Sequence, residues 1–237
     1  MRKVLSYSLL SASLLWAAGC ADAPKGAEAE VGEAQEVAEA GSGAMTYQAV
    51  PSASSVMWVG TKPTGRHQGT FDVTDGTLEV EGGELVAGSF KMDLTSLTVT
   101  DEGMDEDSRM KLTGHLKSDD FFGVEANPEA NFEITGVKPY EAGAMPQEDA
   151  DDDDAEYRLE NPTHMITGNL TMKGETKSVT FPASIEMADD EVTALAKFNI
   201  DRTQWGLNYM SDESLGDKLI NKKVFLQIDL KARSASA

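Results

Sequence analysis

Between residues 46 and 237 the dominant hydrophobic period is two. In ELVAGSFKMDL, Val86, Phe90, Met92 and Leu94 share one parity, and Lys91 and Asp93 take the other. In KSVTFPASIEM, Val179, Phe181, Ala183, Ile185 and Met187 alternate with Ser178, Thr180, Ser184 and Glu186. The same alternation carries Val192, Ala194, Ala196, Phe198 and Ile200, and again Val224, Leu226, Ile228 and Leu230. Successive side chains of an extended chain point to opposite faces, so these runs predict strands with one apolar and one wet face. Turn signals at Asp75-Gly76, Gly82-Gly83, Lys173-Gly174 and Asp189-Asp190 separate them. The pattern gives about eight to ten strands, with one helical interruption near residues 104–118. Strands in meander order, each with one apolar face, must pair two sheets or close into a barrel. The predicted fold class is therefore all-β and antiparallel, with an apolar interior. A membrane barrel would turn its apolar face outward; here the outer face is acidic and dotted with lysine, as in a barrel that sits in water.

Three stretches break the pattern. Residues 1–19 open with Arg2 and Lys3 and continue as an apolar run too short for a spanning helix, which reads as a secretion signal. That run ends in Ala17-Ala18-Gly19-Cys20, which resembles a bacterial lipobox. Lipidation of Cys20 is expected, and with it a membrane partner held through the N-terminal lipid anchor. Ala21 stands where some bacteria place the Asp that retains lipoproteins in the inner membrane, which leans towards the outer membrane, facing the periplasm. Residues 20–45 are dominated by Ala, Glu and Gly, a composition that buries too little to repay ordering, and predict a flexible tether. Residues 141–156 hold an acidic run that lacks the ligand spacing and central Gly of an EF-hand loop. They predict a solvated insertion between two strands of the domain at 46–237.

Charge and chemistry narrow the function. The 41 acidic and 20 basic residues give a net charge of −21, which repels phosphate backbones and anionic lipid and excludes nucleic-acid partners. A single cysteine allows no disulfide framework and, once lipidated, no thiol nucleophile. His67, His115 and His164 are far apart in sequence, and no hydrolase elbow, zinc-protease helix, phosphate loop or dinucleotide fingerprint occurs. No enzyme activity, metal or cofactor is expected. Ser118 before Asp119 and Asp120 reads as a helix N-cap. An eight-stranded barrel either fills with side chains or holds one small ligand. The inward parity carries Phe71, Phe90, Phe132, Phe181 and Phe198 with Leu170, Met172, Leu226 and Ile228, bulk that serves either purpose. Phe121 and Phe122, set beside two aspartates, could plug a core, close a lid or line a cavity. The prompt run through Asn127-Pro128 to the strand at Phe132 argues against a free lid.

Five segments in order, SSVMWVGTKPTGRHQGTF, GSFKMDLTSL, GHLKSDDFFGVEANPEANFEI, ITGNLTMKGETKSVTFPA and FNIDRTQWGLNY, resemble the YceI-like family of exported, lipocalin-like proteins. The resemblance runs from about Thr46 to Ala232. It implies an elongated antiparallel barrel of approximately eight strands with one or two short helices, holding a polyisoprenoid or similar amphipathic lipid such as a quinone. It places His67 on the second barrel strand near the pocket and His115 in a helix-to-loop element, and turns Phe121 and Phe122 inward. Arg202 and Trp205 would meet a polar headgroup, with an ion pair to a carboxylate as the alternative for Arg202. Phe71, Phe90, Phe132, Leu170, Phe181 and Phe198 complete the expected ligand-binding set. Thr113-Gly114 stands where the commoner pattern has Arg-Asp ahead of the His-Leu pair. The function implied is non-enzymatic lipid binding, sequestration or transport in the bacterial cell envelope. The alternative is a packed barrel that binds an envelope protein by its surface, with Phe121, Phe132 and Phe181 filling the interior.

Overall fold

The computed structural model describes residues 23–145, 152–188 and 190–234. Its strands are β1 (Ala27–Glu28), β2 (Glu30–Glu33), β3 (Met45–Ala49), β4 (Ser55–Lys62), β5 (Gly65–Glu81), β6 (Glu84–Val99), β7 (Glu129–Pro139), β8 (His164–Met172), β9 (Glu175–Met187), β10 (Glu191–Asp201) and β11 (Lys223–Ser234). One α-helix, α1 (Glu106–Lys117), joins β6 to β7. From β4 onward each strand pairs antiparallel with the next. β11 returns to β4, from Val224 opposite Gly60 to Asp229 opposite Ser55. Eight strands thus close into an antiparallel meander barrel, which leaves none of them with a bare edge. β3 extends the line of β4 past a short turn at Pro51–Ala53 and bridges β5 and β11 at the far end. Among the described residues no helix is long and apolar enough to cross a membrane.

The alternation read from the sequence holds in β9, β10 and β11, where Val179, Phe181, Ile185, Phe198, Ile200 and Leu230 are buried. In β6 it holds for Phe90, Met92 and Leu94 but not for Val86. Glu79 pairs with Ala87 and Val80 with Leu85, so Val86 is the extra residue of a bulge, and Leu85 and Ala87 are buried in its place. Asp75-Gly76 is likewise no turn. β5 runs straight through it, with Thr74 bulged between the pairs Val73–Met92 and Asp75–Lys91. Such bulges bend long strands and flip the parity of the residues beyond them, which a period-two reading cannot register. Gly82-Gly83 and Lys173-Gly174 are the hairpin turns expected, with φ of 63° and 86° and of 51° and 78°. Of the fourth signal, Asp189 lies outside the described residues.

α1 falls inside the predicted window, but its ends differ from expectation. Its N-cap is Asp105, whose Oδ1 accepts from the Ser108 amide at 2.9 Å and whose Oδ2 accepts from the Ser108 hydroxyl at 2.8 Å. Those two bonds lower the Asp105 carboxyl below its ordinary pKa. Ser118 closes the helix instead of opening one. Its N–H donates to the carbonyls of Gly114 and His115, and its hydroxyl donates to His115 at 2.7 Å. The chain beyond it turns tightly through Gly123, at φ 55°, so no second helix starts there.

The larger correction concerns the N-terminal segment. Cys20 and the rest of residues 1–22 lie outside the described residues, but residues 23–38 are laid along the barrel and are not a free tether. β9 and β10 pair directly only from Ala183–Ala196 to Met187–Val192. Beyond Phe181 and Phe198 the seam parts. β1 pairs parallel to β10 and β2 antiparallel to β9 in the gap. Three outward-facing polar residues, Asn169, Ser178 and Asn199, are buried beneath this strap. Gln35 donates its amide to Asn169 Oδ1 at 2.9 Å and accepts from Asn169 Nδ2 at 2.7 Å. Gln35 Nε2 donates to Ser178 Oγ at 3.1 Å, and Asn199 Nδ2 donates to the Pro24 carbonyl at 2.8 Å. Composition predicts disorder because it weighs apolar burial. The segment is ordered by a backbone ladder and by matched polar side chains, which composition does not see.

Asn169→Ala is therefore expected to leave the Gln35 backbone unpaired and to cost about 1–3 kcal/mol in denaturant unfolding. Amide exchange along Glu30–Glu33 and Lys177–Thr180 should quicken with it, since these residues are opposite one another. Unchanged exchange there would mean that the strap is held by something else.

The acidic insertion is only partly a solvated loop. Residues 146–151 lie outside the described residues. After them a short turn at Asp152–Tyr157 seats Tyr157 edge-on against Phe225, with ring centroids 4.9 Å apart. Phe225 points out of the barrel but is fully buried, in a small outer cluster with Val59 and Tyr157. Lys197 Nζ donates to the Glu156 carbonyl at 2.6 Å and ties the turn to β10.

Candidate functional site

Inward-facing side chains pack the barrel at its β3 end around no more than a small void. At the opposite end, between the β4–β5 and β8–β9 hairpins, they leave a cavity of about 500 Å³. Its walls are apolar: Val56 and Trp58 from β4, Phe71 from β5, Met92 and Leu94 from β6, Leu170 from β8 and Leu226 from β11. A row of rings crosses its floor. Phe90 and Phe132 sit 5.1 Å apart, Phe132 and Phe181 5.7 Å, and Phe181 stacks on Phe198 at 4.2 Å. Leu112, His115 and Leu116 of α1 stand on one side of the mouth, and Leu207, Tyr209 and Ile220 on the other. Lys62, Asp217 and Lys218 supply charge at the lining, and His67 adds a polar ring. A volume of this size with an apolar lining and a few polar groups is what small-ligand sites have.

Phe121 and Phe122 belong to this mouth. The loop that carries them is pinned to the helix end, with Phe122 N donating to the Leu116 carbonyl and Val124 N to that of Lys117. Lys173, in the β8–β9 turn, donates to the carbonyls of Asp119 and Phe121. Phe121 packs against His115 at 5.3 Å and Tyr209 at 5.2 Å, and Phe122 meets Phe71 edge-on at 5.4 Å. The two rings close one side of the cavity, while Asp120 faces out and pairs with His115 Nε2 at 3.0 Å.

Eleven of the twelve side chains expected at the site line this one cavity: His67, Phe71, Phe90, His115, Phe121, Phe122, Phe132, Leu170, Phe181, Phe198 and Arg202. Trp205 does not. It is fully buried outside the lining and donates its indole N–H to the Leu170 carbonyl at 2.9 Å, so it meets no headgroup. Arg202 lies in the lining, but its guanidinium is committed to the backbone. Nε donates to Asn221 O at 3.0 Å, Nη1 to Leu207 O, and Nη2 to Tyr209 O at 3.0 Å and Ile220 O at 2.9 Å. Neither the headgroup contact nor the carboxylate ion pair describes it. One buried cation instead ties together the long β10–β11 connection that forms half of the mouth. Desolvation there lowers its pKa, and neighbouring Asp201 opposes the shift.

The histidines do not converge. His67 Nδ1 is 2.7 Å from Asp101, whose other oxygen accepts from Gln68 N, and His164 lies 3.8 Å from Glu84. Among the described residues no three His, Cys, Asp or Glu are grouped to hold a metal ion. Trp58, Met92, Leu94 and Tyr209 were not among the expected set. Trp58 shares a parity with Val56 and could have been read inward; Tyr209 sits in an irregular stretch with no period to read. Trp58 Nε1 and Thr61 Oγ1 are buried in residues of this lining without a hydrogen-bond partner among the described residues.

Comparison with known proteins agrees with this geometry. The chain is 30% identical over 115 residues to a UPF0312 protein of Azotobacter vinelandii, covering 48% of this chain and 47% of that one. It is 32% identical over 117 residues to a UPF0312 protein of Pseudomonas aeruginosa, covering 49% and 48%. The matched region thus spans about half the length of these curated relatives. Among solved structures, Burkholderia cenocepacia BcnA is similar with a TM-score of 0.55 at 19% identity, over 78% of this chain and 99% of that one. A polyisoprenoid binding domain from Saccharophagus degradans is similar with a TM-score of 0.53 at 14% identity, over 80% and 99%. Such identities speak for the fold alone. The model of the YceI-like domain matches residues 47–232, all of the barrel but the last two residues of β11, and the chain belongs to that family.

Proposed function

We propose that the barrel binds an isoprenoid, such as a quinone or a polyprenyl carrier, or a similar amphipathic lipid, and sequesters or carries it without chemical change. The observation that carries this reading is the cavity of about 500 Å³, open at one end, apolar along its walls and charged only at its mouth. A hydrocarbon tail fits the walls and a polar headgroup fits the rim. Each buried methylene is worth about 0.8 kcal/mol, so a tail of a few isoprene units can repay an association cost of about 4–15 kcal/mol. The Saccharophagus degradans domain, described as polyisoprenoid binding, supports the same class of ligand. A packed-barrel interaction module fits less well, because Phe121, Phe132 and Phe181 bound a cavity and do not fill it. The lipobox-like Ala17-Ala18-Gly19-Cys20 supports a lipid anchor in the bacterial cell envelope, and Ala21 in place of a retaining Asp supports the outer membrane, facing the periplasm.

Native mass spectrometry of the purified chain, with solvent extraction afterwards, should reveal a bound lipid or uptake of added polyprenyl lipid or quinone. A chain that is ligand-free and takes up neither would overturn the proposal.

A further inference from the structure

Below the row of rings lies a second void, of about 40 Å³, walled by residues such as Leu78, Leu85, Ile134 and Ile166. Phe90, Phe132, Phe181 and Ile228 line both this void and the main cavity. A layer one ring thick is therefore what separates them. The backbone is shaped to hold that layer in place. Phe132 lies against Gly168 of β8 so closely that a Cβ there would collide with its ring, and a Cβ on Gly76 would stand 2.8 Å from Cβ of Phe90. Glycine at 168 lets the Phe132 ring lie against β8, and glycine at 76 lets β5 pass close to the base of Phe90. Phe181 and Phe198 stack where β9 and β10 begin to part, so the layer also braces the splayed seam.

We propose that Phe90, Phe132 and Phe181 form a septum that sets the longest tail the barrel accepts. The inference rests on the isoprenoid reading of the cavity and adds to it a limit on chain length and the residues that impose it. A tail entering from the α1 mouth runs down the apolar walls and stops on the rings. The space below is too small to take a tail while they stand, since it exceeds the room for one water by only a few-fold. Trimming a ring joins the two voids and opens a path towards the Gly82-Gly83 end.

The test uses the full chain and quinones that share one headgroup and differ only in the number of isoprene units, with quenching of Trp58 in the cavity wall as readout. For the wild-type chain, affinity should climb about tenfold or more for each added unit until a cut-off, then stay flat, because carbons beyond the septum remain in water. Phe132→Leu, and independently Phe90→Leu, should move the cut-off upward by about one unit, a shift read along each variant's own series and separate from any uniform change in its affinity. Ala196→Val, which fills only the lower void, should return the Phe132→Leu chain to the wild-type cut-off. A cut-off that stays in place in both single variants, or a wild-type affinity that climbs through the whole series, overturns the septum and leaves the isoprenoid reading intact. A wild-type chain that binds no member of the series overturns both.

Discussion

Replacing Arg202 with Leu should cost about 3–5 kcal/mol, more than any other single change at the mouth. The guanidinium donates to four backbone carbonyls, those of Leu207, Tyr209, Ile220 and Asn221, in one rigid fork. No neighbouring side chain can take over four acceptors at once. Leucine would fill some of the volume but leave the carbonyls buried and unpaired, and each such group costs about 1–3 kcal/mol unless water reaches it. At about 2–4 °C per kcal/mol for a chain of this size, the midpoint of thermal unfolding should fall by about 10 °C. Arg202→Lys should recover only a minor part, because one ammonium group cannot span the fork. A loss under about 1 kcal/mol would mean that the β10–β11 connection is held mainly by its other contacts.

The second large effect is on binding. Leu226 stands in the cavity wall, opposite Phe198 on one side and Trp58 on the other. In Leu226→Trp the indole should grow into space that no side chain occupies, so stability should hold within about 1 kcal/mol, unlike overpacking of a filled core. The tail it displaces is about one isoprene unit. Five carbons at about 0.8 kcal/mol each amount to about 4 kcal/mol, so affinity for a polyprenyl lipid should fall by roughly a thousandfold. Met110→Trp is the control, since Met110 is exposed on α1 and outside the lining. Equal affinity in Leu226→Trp and the wild type would place the lipid somewhere other than the cavity.

The barrel and most of its lining were legible because period two speaks directly about which face a side chain takes. Phe90, Phe132, Phe181 and Phe198 each fall on the inward parity of their strands, and closure then brings the four together. Parity failed where a bulge intervened, as at Val86, because one extra residue is invisible to a period. Arg202 was misjudged for a different reason. Its partners are backbone carbonyls, which every residue carries, so no charged partner in the sequence gives it away. The strap at residues 23–38 was missed because Asn169, Ser178 and Asn199 are ordinary polar residues until the chain that covers them is in place. Ser118 showed that a small polar residue before two aspartates fits either end of a helix, and the residues after it decide which.

The central claim is that a lipid tail occupies the barrel and stops on its row of rings. A polyprenyl probe with a photoreactive group at the tail end, bound to the full chain and irradiated, tests it most directly. The attachment site, read by peptide mass spectrometry, should fall on Phe90, Phe132 or Phe181. Attachment on the outer face, around Tyr157 and Phe225 or along the strap, would contradict the account.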